Sequence, residues 1–135
     1  MGDKWRFRGF DAMGRKGWVY GDLVHDKKVT VTGLEDRVKV GGYEVVPESV
    51  GLCSGLKDKK GWEIYVGDII SIYDKEDDSY NNSEVLFRHG VIGVDNGSEY
   101  LSQLSMFVHI YHGEQIEDEE YEIEIIGNVI EGISV

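Results

Sequence analysis

Two histidines in the C-terminal half of the chain are the first residues whose type and spacing could hold a metal ion. His109 and His112 lie three positions apart. On a helix two such side chains share a face, whereas on a strand they point to opposite faces. The residues around them are typical of a strand, and His25 and His89 add no spacing that resembles a structural zinc site. We therefore expect no metal and no other cofactor.

Acidic residues are far more numerous, and they cluster in two polar runs, residues 74–78 and 117–120. A calcium loop of the EF-hand type that begins at Asp74 would need Gly at its sixth position and Glu at its twelfth, but Ser79 and Val85 stand there. A carboxylate- or metal-dependent hydrolase stays open as an alternative. Such an enzyme needs one carboxyl whose pKa is raised by an apolar pocket, and polar runs do not supply that environment.

Motifs for covalent catalysis and for phosphate binding are missing from the sequence. Cys53 is the single cysteine, and nothing near it in the sequence marks a catalytic partner. No nucleophile elbow is present, and no glycine-rich segment has the spacing of a phosphate- or dinucleotide-binding loop. The sequence therefore favours a protein that is not an enzyme.

The charge is distributed unevenly along the chain, whose net charge is −12. Residues 61–135 hold two Lys/Arg and 17 Asp/Glu, which is a net charge of −15. A surface of that sign repels the phosphate backbone, so nucleic-acid binding by this part is disfavoured. A nucleic-acid site in residues 1–60, centred on Lys27, Lys28, Arg37 and Lys39, stays open as a further alternative.

Short strands with tight turns account for most of the pattern, since the chain has 18 glycines, one proline and many β-branched and aromatic residues. Two hairpins are predicted, one with its turn at Gly41-Gly42 and one at Asp95-Asn96-Gly97. Apolar and acidic residues alternate along residues 121–125, which is typical of a strand with one face exposed to solvent. We expect residues 74–83 to form a solvated loop. No window shows a sustained helical stripe, so the fold class is all-β.

Three segments resemble the YopX family of phage and prophage proteins. The longest is Ser-Gly-Leu-Lys-Asp-Lys-Lys-Gly-Trp-Glu-Ile-Tyr-Val-Gly-Asp-Ile-Ile at 54–70. Residues 5–11, Trp-Arg-Phe-Arg-Gly-Phe-Asp, are similar to the N-terminal strand of that family. Residues 124–131 are similar to its closing motif. The three segments together span the chain.

The resemblance implies an SH3-like β-barrel in residues 54–135, preceded by strands and a hairpin in residues 1–53, within one YopX-like domain 1–135. It implies a phage or prophage origin in bacteria, and it carries over no catalytic residue. We expect a non-enzymatic protein-interaction module. Trp62 and Tyr65, which lie beside the polar loop predicted at residues 54–61, are the candidate binding residues because SH3-like barrels present aromatic side chains between loops.

The partner is expected to be a phage protein, a host protein or a second copy of the chain. The strand predicted at residues 5–10 and the hairpin at residues 37–46 are the candidate surfaces for a homo-oligomer, because acidic charge opposes contact at residues 117–120. The sequence shows no signal peptide and no apolar stretch of about 20 residues. We therefore expect a cytoplasmic protein that does not bind membranes.

Overall fold

Backbone contacts divide the chain into two compact units, Met1–Cys53 and Ser54–Val135. The computed structural model describes residues 6–133. Both units consist of short antiparallel strands, which confirms the all-β class. The described helical segments are two 3₁₀ turns, Pro47–Ser49 and Leu104–Phe107, and no described helix has the length and apolar character that a membrane span needs.

The first unit contains two small sheets. Its strands are β1 (Phe7–Phe10), β2 (Trp18–Gly21), β3 (Leu23–Thr30), β4 (Gly33–Val40), β5 (Tyr43–Glu44) and the first residues of β6 (Gly51–Lys57). Strand β1 pairs with β2 on one side and with β6 on the other, so β1 is paired along both edges. Trp5, the first residue of the predicted N-terminal strand, lies outside the described residues. Strands β3, β4 and β5 form the second sheet in that order.

The core of this unit is apolar and small. Val19, Val40 and Val45 are buried, and Phe7 and Leu23 pack against them. The predicted Gly41-Gly42 hairpin is confirmed, since Val40 of β4 faces Tyr43 of β5 across that turn. Gly41 has a φ of 59°, and a Cβ atom there would overlap the backbone carbonyl of Tyr20. The turn therefore needs glycine at this position for its shape and for its close packing.

The second unit holds ten further strands and a separate core. The strands are β7 (Glu63–Tyr65), β8 (Asp68–Asp74), β9 (Ser79–Glu84), β10 (Leu86–Arg88), β11 (Val91–Val94), β12 (Ser102–Gln103), β13 (His109–Tyr111), β14 (Glu114–Ile116), β15 (Tyr121–Asn128) and β16 (Gly132–Ile133). The largest sheet formed wholly from these strands has the order β16-β15-β8-β9, and the β10–β12 sheet and the β13–β14 hairpin are smaller. Seven buried residues form the core: Ile64, Ile70, Ile72, Val85, Val94, Leu104 and Ile123.

The predicted SH3-like barrel is not confirmed. A barrel closes when the first and last strands of a sheet pair with each other. No sheet within residues 6–133 closes in this way. In the largest sheet of the second unit, β9 stands at one end and β16 at the other.

Two sequence predictions differ from the structure in their local detail. Residues 74–83 were expected to be one solvated loop, which is wrong, because residues 79–84 form β9 and pair with β8 in six consecutive positions. Pairing with a neighbouring strand overrides the polar composition of this segment. The hairpin at Asp95-Asn96-Gly97 does connect β11 and β12, but the connection runs from residue 95 to residue 101. Asp95 Oδ1 accepts a bond from the Gly97 N–H and so shapes only the start of that loop.

Candidate functional site

The loop between β6 and β7 is organised around the carboxylate of Asp58, which is 6% exposed. Asp58 Oδ1 accepts hydrogen bonds from the backbone N–H groups of Lys60 (3.0 Å) and Trp62 (2.9 Å). Asp58 Oδ2 accepts one from the Ile125 N–H at 3.1 Å, on strand β15. The Lys59 N–H also donates to the carbonyl of Ile123 at 2.8 Å. The loop is therefore fixed to the side of β15 that does not pair with β8.

A glutamine on β14 fixes the other end of the same loop. The Gln115 side-chain oxygen accepts a bond from the Lys57 N–H at 2.8 Å, and its amide nitrogen donates to the Lys57 carbonyl at 2.6 Å. These two bonds reproduce the pairing that a neighbouring strand would give. The loop is held at both ends before any ligand arrives, and such preorganisation lowers the entropy cost of binding.

An open cleft of about 560 Å³ lies between this loop, β14 and the start of β15. That volume falls within the range of ligand pockets. The loop forms one wall, and the acidic connection between β14 and β15 contributes to the other. The lining residues are Lys57, Asp58, Lys59, Lys60, Gly61, Phe107, Gln115, Ile116, Glu117, Asp118, Tyr121, Glu122 and Ile123.

The lysines of the loop wall are partly neutralised by a neighbour on β15. Lys60 Nζ lies 2.9 Å from a carboxylate oxygen of Glu124, and Lys59 Nζ lies 3.4 Å from the other. The hydrogen bond from Lys60 is the main cause that lowers the pKa of Glu124 below its ordinary 4.5. Because the folded-state pKa is lowered, the stabilisation is present above pH 4.5 and is lost as the pH falls through the folded-state value.

Two aromatic rings give the cleft an apolar part. Phe107 and Tyr121 pack edge to face with their ring centroids 5.0 Å apart. Burial is the main cause that raises the pKa of the Tyr121 hydroxyl, so this group stays neutral at physiological pH. Asp118 Oδ2 accepts the backbone N–H groups of Glu120 and Tyr121 at 2.9 and 2.7 Å, which fixes the acidic wall next to the rings. The cleft thus combines an apolar surface with charged groups of both signs.

The two candidate binding residues have different environments. The Trp62 side chain is 68% exposed and follows directly after the loop wall, so its role in binding stays a prediction. Tyr65 is 3% exposed, and the expectation that it is presented to a partner is wrong. Its backbone N–H donates to the buried carboxylate of Asp68 at 2.8 Å, because the tight turn at Gly67 folds Asp68 back onto β7. Tyr65 is therefore a buried residue of β7.

Three cations of the first unit form ion pairs within the sheet of β3, β4 and β5. Lys27 is bonded to Asp36 at 2.7 Å, and Lys28 is bonded to Glu44 at 2.8 Å. Arg37 donates two bonds to Asp26, at 2.7 and 2.8 Å. Three of the four basic residues considered for nucleic-acid binding thus form ion pairs with carboxylates of their own sheet.

The acidic residues that line the cleft, Asp58, Glu117, Asp118 and Glu122, do not form a metal site. Within residues 6–133 no group of three or more His, Cys, Asp and Glu side chains is placed to hold a metal ion. Four carboxyls of the described residues, Asp11, Asp26, Asp36 and Glu124, have a pKa below the ordinary value. A lowered pKa keeps a carboxyl ionised, which is the opposite of what a general acid needs.

Sequence reasoning singled out neither Gln115 nor the long-range contact of Asp58. The bond from Asp58 to Ile125 joins residues 67 positions apart, and the bonds from Gln115 to Lys57 join residues 58 positions apart. Neither contact produces a local pattern, so no periodicity or spacing could have revealed them. The burial of Asp58, a charged residue in a loop, is visible only in the structure.

Comparison with known protein families shows the family of this chain. No curated protein matches the chain. The family model described as YopX protein matches residues 6–132, which is nearly the whole chain, and this range contains Asp58, Gln115 and the residues of the cleft. This chain belongs to the YopX family.

Proposed function

We propose that this YopX family member is a non-enzymatic interaction module that binds a segment of another protein in the cleft beside residues 57–61. The carrying observation is the cleft itself, about 560 Å³ in volume, whose loop wall is fixed by Asp58 and Gln115. A segment of polypeptide offers apolar side chains for the Phe107 and Tyr121 rings and polar groups for the charged walls. Trp62 extends this surface beyond the loop as an exposed aromatic anchor.

The acidic charge and the family resemblance support a particular kind of partner and cellular location for this function. Residues 61–135 carry a net charge of −15, which accelerates encounter with a basic partner. The proposed partner is a phage or host protein in the bacterial cytoplasm, and the proposed role is that of a phage or prophage accessory protein. Binding at the cleft does not require a closed barrel, because its walls are one loop and parts of two strands.

Affinity capture followed by cleft variants tests the proposal. The wild-type chain is used as bait in the bacterium, and each recovered protein is purified and its affinity measured by calorimetry. We expect Trp62→Ala and Glu117→Lys each to weaken the binding of a genuine partner about tenfold or more. Trp62→Ala removes an aromatic anchor, a residue type that dominates protein interfaces. Glu117→Lys reverses a charge in the lining of the cleft. Both side chains are exposed, so the fold should be retained.

The matched control is Glu99→Lys, which makes the same change of charge as Glu117→Lys in the connection between β11 and β12. Glu99 does not line the cleft. The control should bind as the wild type does. Equal affinity of the wild type, Glu117→Lys and Trp62→Ala for every recovered protein would contradict the cleft as the binding site.

A further inference from the structure

Strand β9 is an exposed edge of the largest sheet in the second unit. It stands last in the order β16-β15-β8-β9 and pairs only with β8 among the strands of residues 6–133. Five of its six residues are exposed, and the Tyr80 side chain is 71% exposed. No other described segment donates or accepts a backbone hydrogen bond along residues 79–84. One side of this strand is therefore open to pairing.

The hydrogen bonds at the end of the strand show which groups face outward. The Val85 N–H donates to the Asp68 carbonyl at 2.8 Å, so the backbone groups of Val85 face the β8 side. Along an antiparallel strand the direction of these groups alternates with each residue. Ser79, Asn81 and Ser83 then face β8, and the N–H and C=O groups of Tyr80, Asn82 and Glu84 face outward.

The features that usually protect an edge strand are missing from β9. Proteins block such edges with proline, lysine, bulges or inward-pointing charges. The sequence of β9, Ser-Tyr-Asn-Asn-Ser-Glu, has neither proline nor a basic residue. Its six pairs with β8 run without a register shift. The edge is regular, and the outward backbone groups of three alternate residues, Tyr80, Asn82 and Glu84, can pair with an added strand.

The acidic residues at both ends of β9 favour a basic partner at this edge. The acidic residues Glu76, Asp77 and Asp78 precede β9, and Glu84 ends it. We propose that β9 is a docking edge for an extended basic segment of a partner protein, which adds to the sheet as a further strand. This surface is separate from the cleft, since no residue of β9 lines the cleft.

A second copy of the chain fits the same edge poorly. If β9 paired antiparallel with its own copy about a two-fold axis at Asn81, Asp78 of one chain would lie opposite Glu84 of the other at both ends of the pair. Like charges in such positions are destabilising. A basic segment removes this repulsion, and its lysines lie next to the same carboxylates.

Amide hydrogen exchange on the full chain provides the test. The probe is a capped seven-residue peptide, Lys-Val-Lys-Val-Lys-Val-Lys, at low ionic strength and at about 90% occupancy. We expect exchange at the amides of Tyr80, Asn82 and Glu84 to slow about tenfold, because only about one tenth of the protein is then without bound peptide. The amides of Ser79, Asn81 and Ser83 should stay protected with and without peptide. A copy of the peptide that is N-methylated at alternate amides should bind at least about tenfold more weakly, because it loses ladder hydrogen bonds.

Two variants at Asn82 test the edge itself. Asn82→Pro removes an outward N–H that no described group accepts, which an edge strand tolerates, and it should abolish the slowing. Asn82→Lys keeps the backbone N–H and should weaken peptide binding about two- to fivefold, because the new lysine repels the lysines of the peptide. Glu99→Gln changes the net charge by the same amount at a distant loop and should have no effect.

Three outcomes would overturn the proposal. The first is binding of the peptide without slower exchange at Tyr80, Asn82 and Glu84, and the second is no binding at low salt. The third is protection of these amides without peptide together with a dimer in sedimentation, which would assign the edge to a second copy. Variants of Trp62 and Glu117 report on the cleft alone, so failure of one proposal is distinguishable from failure of the other.

Discussion

Replacing Asp58 by Asn should destabilise the second unit even though the two side chains have nearly the same shape. The carboxylate accepts three backbone hydrogen bonds, from Lys60, Trp62 and Ile125, and it is 6% exposed. An amide has one acceptor oxygen. If that oxygen keeps the bonds from Lys60 and Trp62, the NH₂ group faces the Ile125 N–H, so a buried donor meets another donor.

The size of the effect follows from these contacts. Loss of one charge-assisted bond, with a buried donor left unsatisfied, costs about 1.5–3 kcal/mol. The two remaining bonds become neutral and weaken, since charge-assisted bonds are roughly twice as strong as neutral ones. We expect a total of about 2–4 kcal/mol. With a urea dependence of about 2 kcal/mol per molar, the midpoint should fall by about 1–2 M.

Urea unfolding, together with hydrogen exchange at the Ile125 amide, measures this loss. The exchange experiment is needed because the chain forms two compact units, whose transitions need not coincide. The matched control is Asp95→Asn, in which a carboxylate of an exposed turn accepts one bond, from the Gly97 N–H at 2.8 Å. The control should change stability by less than about 0.5 kcal/mol. Equal midpoints for the two variants, with Ile125 still protected in Asp58→Asn, would refute this account of the loop.

Two further predictions concern a glycine turn and a tyrosine. Gly41→Ala should destabilise the first unit by about 1–3 kcal/mol more than Gly42→Ala in thermal unfolding, because both glycines have positive φ but only a Cβ at Gly41 meets backbone atoms; equal melting temperatures would contradict the close approach to Tyr20. The hydrogen bond from the Tyr73 hydroxyl to Asp78 is the main cause that raises the pKa of Tyr73 to about 12. The folded-state pKa is raised, so the stabilisation is present below pH 10 and is lost as the pH rises from 10 towards 12. In a site-resolved NMR titration Asp78→Gly should move the pKa of Tyr73 towards 10 and Asp77→Gly should not, whereas a native Tyr73 that titrates near 10 would exclude the bond.

Local features of the chain could be predicted from the sequence. The glycine content and the β-branched residues between the glycines predicted an all-β fold, and the Gly41-Gly42 turn predicted the hairpin between β4 and β5. Strand β15 was recognised in residues 121–125 because its alternation is local. The specific segment at 54–70 identified the family. Each of these signals depends on residues that are close together in the chain.

Other features were decided only by the tertiary structure. Strand β9 has the composition of a loop and becomes a strand because β8 pairs with it. Tyr65 and Trp62 lie beside the same predicted loop, yet Tyr65 is 3% exposed and Trp62 is 68% exposed. Sequence pattern records the conformational preference of a residue and not the neighbour that covers it.

The candidate site shows this limit most clearly. The sequence predicted a polar loop at residues 54–61, with Trp62 directly after it. The structure instead places residues 54–57 at the end of β6. The cleft exists because Asp58 bonds to Ile125 and Gln115 bonds to Lys57, contacts between residues 67 and 58 positions apart. Long-range hydrogen bonds of this kind depend on how the strands come together in space, so only the folded chain determines the cleft.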